Sequence, residues 1–420
     1  MKSKFAVLIL LTYPFISPCQ NPAITTEQYK QDFNYFWTSV NENYCYFNKK
    51  QTDWPKVKEI YLPVIDTITK RDQFVTILEK MFYEIYDHHA DLNTNTADSR
   101  RLVPTSTDVW AEYISSKPLI TEVRKGSGAE AAGIIAGMEV VTVNDIAVQL
   151  AIKPFLARSL KAADNEAQSF ALRLLLAGDH TQPRKFTLKY KGVLKDYFPD
   201  KSGLLLENIQ YIHKIDAKII EGIGYIKINN CLFDNELIPS FDSVMQTMQN
   251  TKSLILDLRE TPSGGNTTVA RAILGWFIDK DHFYQKHELY SEERTFGIKR
   301  SWEEIVSPRK GKYYSKPLAI LANHWTGSIG EGITIAFDAL KRPKTTTIGT
   351  TLARLNGAGY TYEMPNTKIN FSFPVERLYH INGSPRERYI PQLYIDLLRG
   401  EINPASDIFI SKALQYLKSK

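Results

Sequence analysis

The chain has 420 residues, of which 43% are hydrophobic and 23% charged, with a formal net charge of +6. These are the proportions of a soluble globular protein long enough for two or three domains with substantial cores. The charge is small for this length and no dense Lys/Arg block occurs, so a nucleic-acid footprint is excluded.

The chain opens with the basic stretch Met1-Lys2-Ser3-Lys4, an apolar run over 5–15, and then Ser17-Pro18-Cys19. This predicts an export signal over 1–19, too short to remain as a membrane span. Cys19 follows the apolar run as the lipidated cysteine of a lipoprotein does, although Pro18 departs from the usual pattern; lipid anchoring and plain secretion both fit. The expected location is therefore outside the cytoplasm: periplasmic, secreted or anchored at the envelope. Cys45 and Cys231 remain in the mature chain, either paired or as two free buried thiols. No clustered Cys/His spacing suggests a metal site, and none is expected.

Residues 20–100 read as a helical domain. Asp53-Trp54-Pro55 is a helix start, with Asp as cap and Pro where its missing N–H is harmless. From about Arg71, the residues Phe74, Ile77, Leu78, Met81, Phe82 and Ile85 form the stripe of a buried helix face. The helical pattern ends at Tyr86-Asp87-His88-His89.

Residues 101–198 follow a different pattern. LITEVRKGSGAEAAGIIAGMEVVTVNDIAV, over 119–148, is a strand, a Gly/Ser turn, a short Ala-rich helix, a strand containing Val140-Val141-Thr142-Val143 and a tight Asn144-Asp145 turn. The order resembles a PDZ domain. Such domains bind extended peptide tails by adding a strand to a sheet edge, and the alternative is a scaffold module that binds nothing.

Residues 199–420 alternate strand and helix. A strand at 224–228, a helix over 236–249 and an apolar strand at 254–258 precede the Gly264-Gly265 turn, which opens another helix. A second apolar strand, 317–322, runs into HWTGSIGEG, followed by a helix carrying Ile333, Ile335, Ala336, Ala339 and Leu340. Functional residues in such sheets gather at strand C-terminal ends, where both Gly264-Gly265 and Ser328 lie. By itself, Ser328 three residues before Glu331 is the spacing of a helix capping box.

Four segments then come in the order seen in the C-terminal processing, or tail-specific, peptidases and their tricorn-core relatives: GYIKIN, LILDLRETPSGGN, KPLAILANHWTGSIGEG and NGSPRERYIPQLYID. Those proteins also carry a helical region and a PDZ domain upstream. The resemblance implies an α/β multidomain protein, with an N-terminal helical bundle, a PDZ-like small β domain and a ClpP/crotonase-like α/β catalytic core. It implies that Ser328 is the nucleophile of a serine peptidase acting without cofactor on peptides or unstructured proteins. The N–H of Ile329 would be one oxyanion donor and that of Gly264 or Gly265 the other, while Glu331 would be structural.

The bacterial tail-specific branch takes its base from a lysine about two dozen residues after the serine. Here that stretch is IGTTLARLNGAG, whose only cation, Arg354, does not give up its proton. The tricorn-like branch takes a histidine from an Asp-x-His segment instead, which His89 matches, with Glu387 as the acid that orients it. His88 and His324 are the competing histidines. Two other functions share the fold: a non-catalytic peptide or ligand carrier, and a crotonase-type acyl-transfer enzyme, whose intracellular acyl-CoA substrate conflicts with export. Substrate identity and oligomeric state are not legible.

Overall fold

The computed structural model describes residues 24–204, 206, 211–399 and 406–420. The predicted export signal and Cys19 lie outside them. Among the described residues, no helix is long and apolar enough to cross a membrane.

The C-terminal half is built on a six-stranded sheet. Leu393–Tyr394, Thr345–Gly349, Leu318–Ala322, Leu254–Asp257 and Ile223–Ile228 run parallel in that spatial order, and Ile215–Ile220 closes one edge antiparallel. Its central strands are covered on both sides, which explains their unbroken apolar runs. Leu254, Leu256, Leu318 and Ile320 pack with helices Leu237–Thr247, Thr267–Leu274 and Ile329–Ala339. Ile255, Ala319 and Leu321 face Phe409, Ala413 and Leu417 of the last helix, Ile408–Lys418.

A second sheet has Asn370–Tyr379 at its centre, paired with Asp91–Leu92, His282–Leu289 and Ala358–Glu363. The predicted helical region folds as Thr26–Asn43, Trp54–Ile65 and Arg71–Tyr83. Asp53 caps the second helix at Lys56 N, and the stripe Phe74, Ile77, Leu78, Met81 and Phe82 is buried. This core also contains Phe371, Phe373 and Val375, so the N-terminal helices and a strand from the far end of the chain share one hydrophobic interior. That junction places the end of the helical region, Asp87 to His89, next to the C-terminal half.

The small β domain is a sheet in the order Val109–Ile114, Lys117–Val123, Glu139–Val143, Phe186–Tyr190 and Val193–Tyr197. Asn144 and Asp145 take positive φ values of 48° and 65°, as a two-residue hairpin turn requires. Helix Asn165–Ala177 lies along the outer edge of Val109–Ile114. Its side chains take that edge's polar groups: Tyr113 N donates to Ser169 Oγ at 3.0 Å, and Arg173 Nη1 donates to Ala111 O at 3.3 Å. The outer edge of that strand is therefore occupied by the domain's own helix. Cys45 and Cys231 are both buried and unpaired.

Candidate active site

Strands Leu254–Asp257 and Leu318–Ala322 end side by side, and their following loops remain bonded. Thr261 N donates to Trp325 O at 3.1 Å, and Gly327 N donates to Thr261 O at 3.2 Å. This brings Gly264 against Ser328: a Cβ on Gly264 would lie 2.5 Å from Ser328 Cβ and 3.4 Å from Ile329 N. Ser328 itself sits at φ 49°, ψ −110°, in the left-handed half of backbone space that a β-carbon disfavours. Such strain persists only where surrounding structure imposes it, and it concentrates at functional turns.

The capping box expected from the spacing is present. Ser328 N donates to Glu331 Oε2 at 2.9 Å, and the Ser328 side chain faces the backbone N–H of the same glutamate. Glu331 is completely buried, which pushes its carboxyl up to about 7 even though Arg386 acts in the opposite direction. Its bond to Ser328 N holds the first turn of the helix.

Of the candidate oxyanion donors, Ile329 N is the first helical N–H and has no intrahelical acceptor. Gly264 N is turned back onto Thr261 O at 3.2 Å, whereas Gly265 N makes no backbone or side-chain bond among the described residues. Gly265 is pressed against Leu232, whose carbonyl oxygen would be 2.1 Å from an added Cβ. Only glycine fits there.

The three histidines separate by their partners. His88 Nε2 accepts from Arg173 Nε at 2.9 Å, and its ring stacks on Phe170. His324 is buried with both ring nitrogens engaged, Nδ1 at 2.5 Å from Glu122 Oε2 and Nε2 at 2.8 Å from Thr351 Oγ1, and its ring stacks on Trp110. His89 has Nδ1 at 2.6 Å from Asn356 O. A carbonyl can only accept, so Nδ1 carries the proton and the lone pair of the neutral ring is on Nε2. Burial, and then the Arg386 cation, hold this imidazole below the ordinary histidine value; Asp87 and the backbone partners oppose that only in part.

Asp87 supports the same assembly. Its carboxylate accepts from His89 N at 3.0 Å, from Asn356 Nδ2 at 2.8 Å and from Tyr44 Oη at 2.8 Å. Glu387, expected to orient the histidine, instead accepts from Lys49 Nζ at 2.9 Å, and its Oε2 is buried without a partner. The group on His89 Nδ1 is thus a backbone carbonyl. Asp87, Asn356 and Glu387 lie on the wall of a cavity of about 430 Å³ formed between the helical region, the small β domain and the C-terminal half. Arg354, at the position of the absent lysine, lies 3.7 Å from Glu112 of the small β domain.

Two participants were not picked out from the sequence. Asn356 acts through its carbonyl, which any residue type possesses. Arg386 carries no sequence signal beyond its place in the charge run Arg386-Glu387-Arg388. The Asp-x-His spacing was the one signal for Asp87.

Comparison with known proteins bears on this geometry. Residues 25–83 match the model of the Tricorn protease C1 domain, and residues 222–392 match that of Peptidase family S41. No curated protein matches the chain in sequence. Among solved structures, the photosystem II D1 C-terminal processing protease is 18% identical, with a TM-score of 0.54 over 88% of this chain and 93% of that one. Mature CPAF is 14% identical, with a TM-score of 0.60 over 94% of this chain and 96% of that one. At such identities these likenesses speak to the fold. The serine and glycine loops lie inside residues 222–392, and it is this region of the chain that is of peptidase family S41.

Proposed function

We propose that the protein is an exported serine peptidase that hydrolyses peptides or unstructured proteins through an acyl-enzyme, with Ser328 as nucleophile and His89 as general base. The observation that carries this reading is the His89 Nδ1 to Asn356 O contact, which leaves Nε2 as the proton acceptor. In the reaction, Nε2 takes the Ser328 hydroxyl proton as Oγ attacks the substrate carbonyl carbon. The N–H groups of Ile329 and Gly265 face the developing oxyanion. The C–N bond then breaks, and the imidazolium returns its proton to the departing amine. Water, deprotonated by the same nitrogen, releases the second product and restores the serine.

Glu387 contributes charge at the cavity wall, and Asn356 and Asp87 set the histidine ring. The division into a signal at 1–19, a helical domain at 20–100, a PDZ-like domain at 101–198 and the peptidase core at 199–420 belongs to the same proposal, as does lipid attachment at Cys19.

The test is labelling by an active-site serine probe, together with hydrolysis of an unstructured protein. Ser328→Ala is expected to abolish both while remaining folded, since loss of a nucleophile removes several orders of magnitude in rate. A folded alanine variant that still labels would sink the assignment.

A further inference from the structure

Arg386 belongs to three consecutive charges on the turn Arg386–Arg388, yet it is 2% exposed. Its guanidinium is directed at backbone carbonyls. Nη1 donates to Ser328 O at 3.2 Å, and Nη2 donates to Leu355 O at 2.9 Å and to Gly357 O at 2.7 Å. The nearest carboxylate, Glu331, is 3.8 Å away, and Nε is buried without a partner. A buried cation with so distant a counter-charge is poor evidence for a stabilising role.

The two carbonyls held by Nη2 flank Asn356, whose own carbonyl receives the His89 Nδ1 proton. One planar fork thus bonds the backbone of the nucleophile and the short segment that sets the base. We infer that Arg386 is a positioning residue for this reaction, fixing the Ser328 turn against the 355–357 segment so that nucleophile and base meet in register. The inference rests on the Ser328 and His89 assignment above.

The fork geometry matters because guanidinium presents several donors in one rigid plane, which an ammonium cannot copy. The charge has a second effect. Arg386 disfavours protonation of His89, while Asp87, the acid facing the ring from its own segment, favours it. The cation therefore keeps the base neutral before attack and makes the imidazolium a stronger acid toward the leaving amine.

The experiment is the rate of serine-probe acylation per folded molecule against pH, for the parent, Arg386→Lys, Arg386→Gln and Ser328→Ala. A misplacement of about 1 Å at a reacting pair lowers rates roughly a hundredfold, and a loss of that order is expected in both Arg386 variants. The acid limb should move up in Arg386→Gln and stay near the parent's position in Arg386→Lys, which keeps the charge but not the fork. A merely structural residue would lower thermal stability and leave rate and limb as in the parent; that result overturns the inference. Full acylation in Arg386→Lys overturns it as well, and this variant decides alone should Arg386→Gln not fold. Continued labelling of Ser328→Ala would instead remove the underlying assignment, a separate failure.

Discussion

The Nδ1 nitrogen of His89 lies 2.6 Å from the carbonyl oxygen of Asn356, two residues far apart in the chain and joined across the interface between the helical region and the C-terminal half. A backbone carbonyl fixes the tautomer without adding a second titrating group beside the ring. It also leaves the ring's basicity to burial and to the nearby charges.

From that follows the pH dependence of acylation. A histidine held below its ordinary value of about 6.5 stays neutral to lower pH, so the rate should persist as pH falls through 6.5 and decline only beneath it. The measurement is probe acylation of the free enzyme from pH 4 to 9, in roughly half-unit steps around the reference histidine value. A limb at or above 6.5 would contradict the buried, cation-flanked ring.

Gly264→Ala should impair acylation much more than folding. The added Cβ would meet Ser328 Cβ at 2.5 Å, at a residue with φ 67°. The expected loss is on the order of a hundredfold, from displacement of the nucleophile. Gly126→Ala serves as the control, since Gly126 has φ 74° and no atom within 4 Å of an added Cβ. It carries the backbone strain without the contact and should acylate at the parent rate.

Glu122 is the anchor of the small β domain on the nucleophile's loop. It accepts from Asn323 Nδ2 at 2.7 Å, from Thr350 Oγ1 at 2.8 Å and from the His324 ring. Glu122→Ala leaves those buried donors unmet and should destabilise the protein by about 3–5 kcal/mol, read as a lowered urea midpoint at unchanged slope. Glu122→Gln, which retains an acceptor, should lose less. Equal, negligible effects would show that the domain is only loosely docked.

The occupied edge of the small β domain bears on substrate choice. Because Ser169 and Arg173 already take the polar groups of strand Val109–Ile114, a substrate tail cannot add there without displacing the helix. Matched peptides with free and amidated C-termini should be cleaved with kcat/KM values within about threefold, well below the factor of ten that 1.4 kcal/mol of differential binding gives. A preference of tenfold or more for the free tail would mean that the edge opens.

The sequence alone determined the elements and their order. Apolar runs covered on both faces gave the central parallel strands, and the 3.6-residue stripe gave the helix Arg71–Tyr83, because periodicity is a local consequence of which face meets the core. The local pattern around Ser328 gave a strand, a turn and a capped helix start; its reading as a nucleophile came from the resemblance of four ordered segments to the tail-specific peptidases. Tertiary structure decided which histidine has its Nδ1 set by a backbone carbonyl, since His88, His89 and His324 differ only in the partners that distant segments bring to them. It decided the fate of Arg386 too: a charge run reads as exposed surface, and only the closing of 355–357 over the Ser328 turn supplies the carbonyls that let a guanidinium be buried there. Backbone acceptors such as Asn356 O carry no residue-type signal, so their placement becomes visible only when chain segments hundreds of residues apart are packed together.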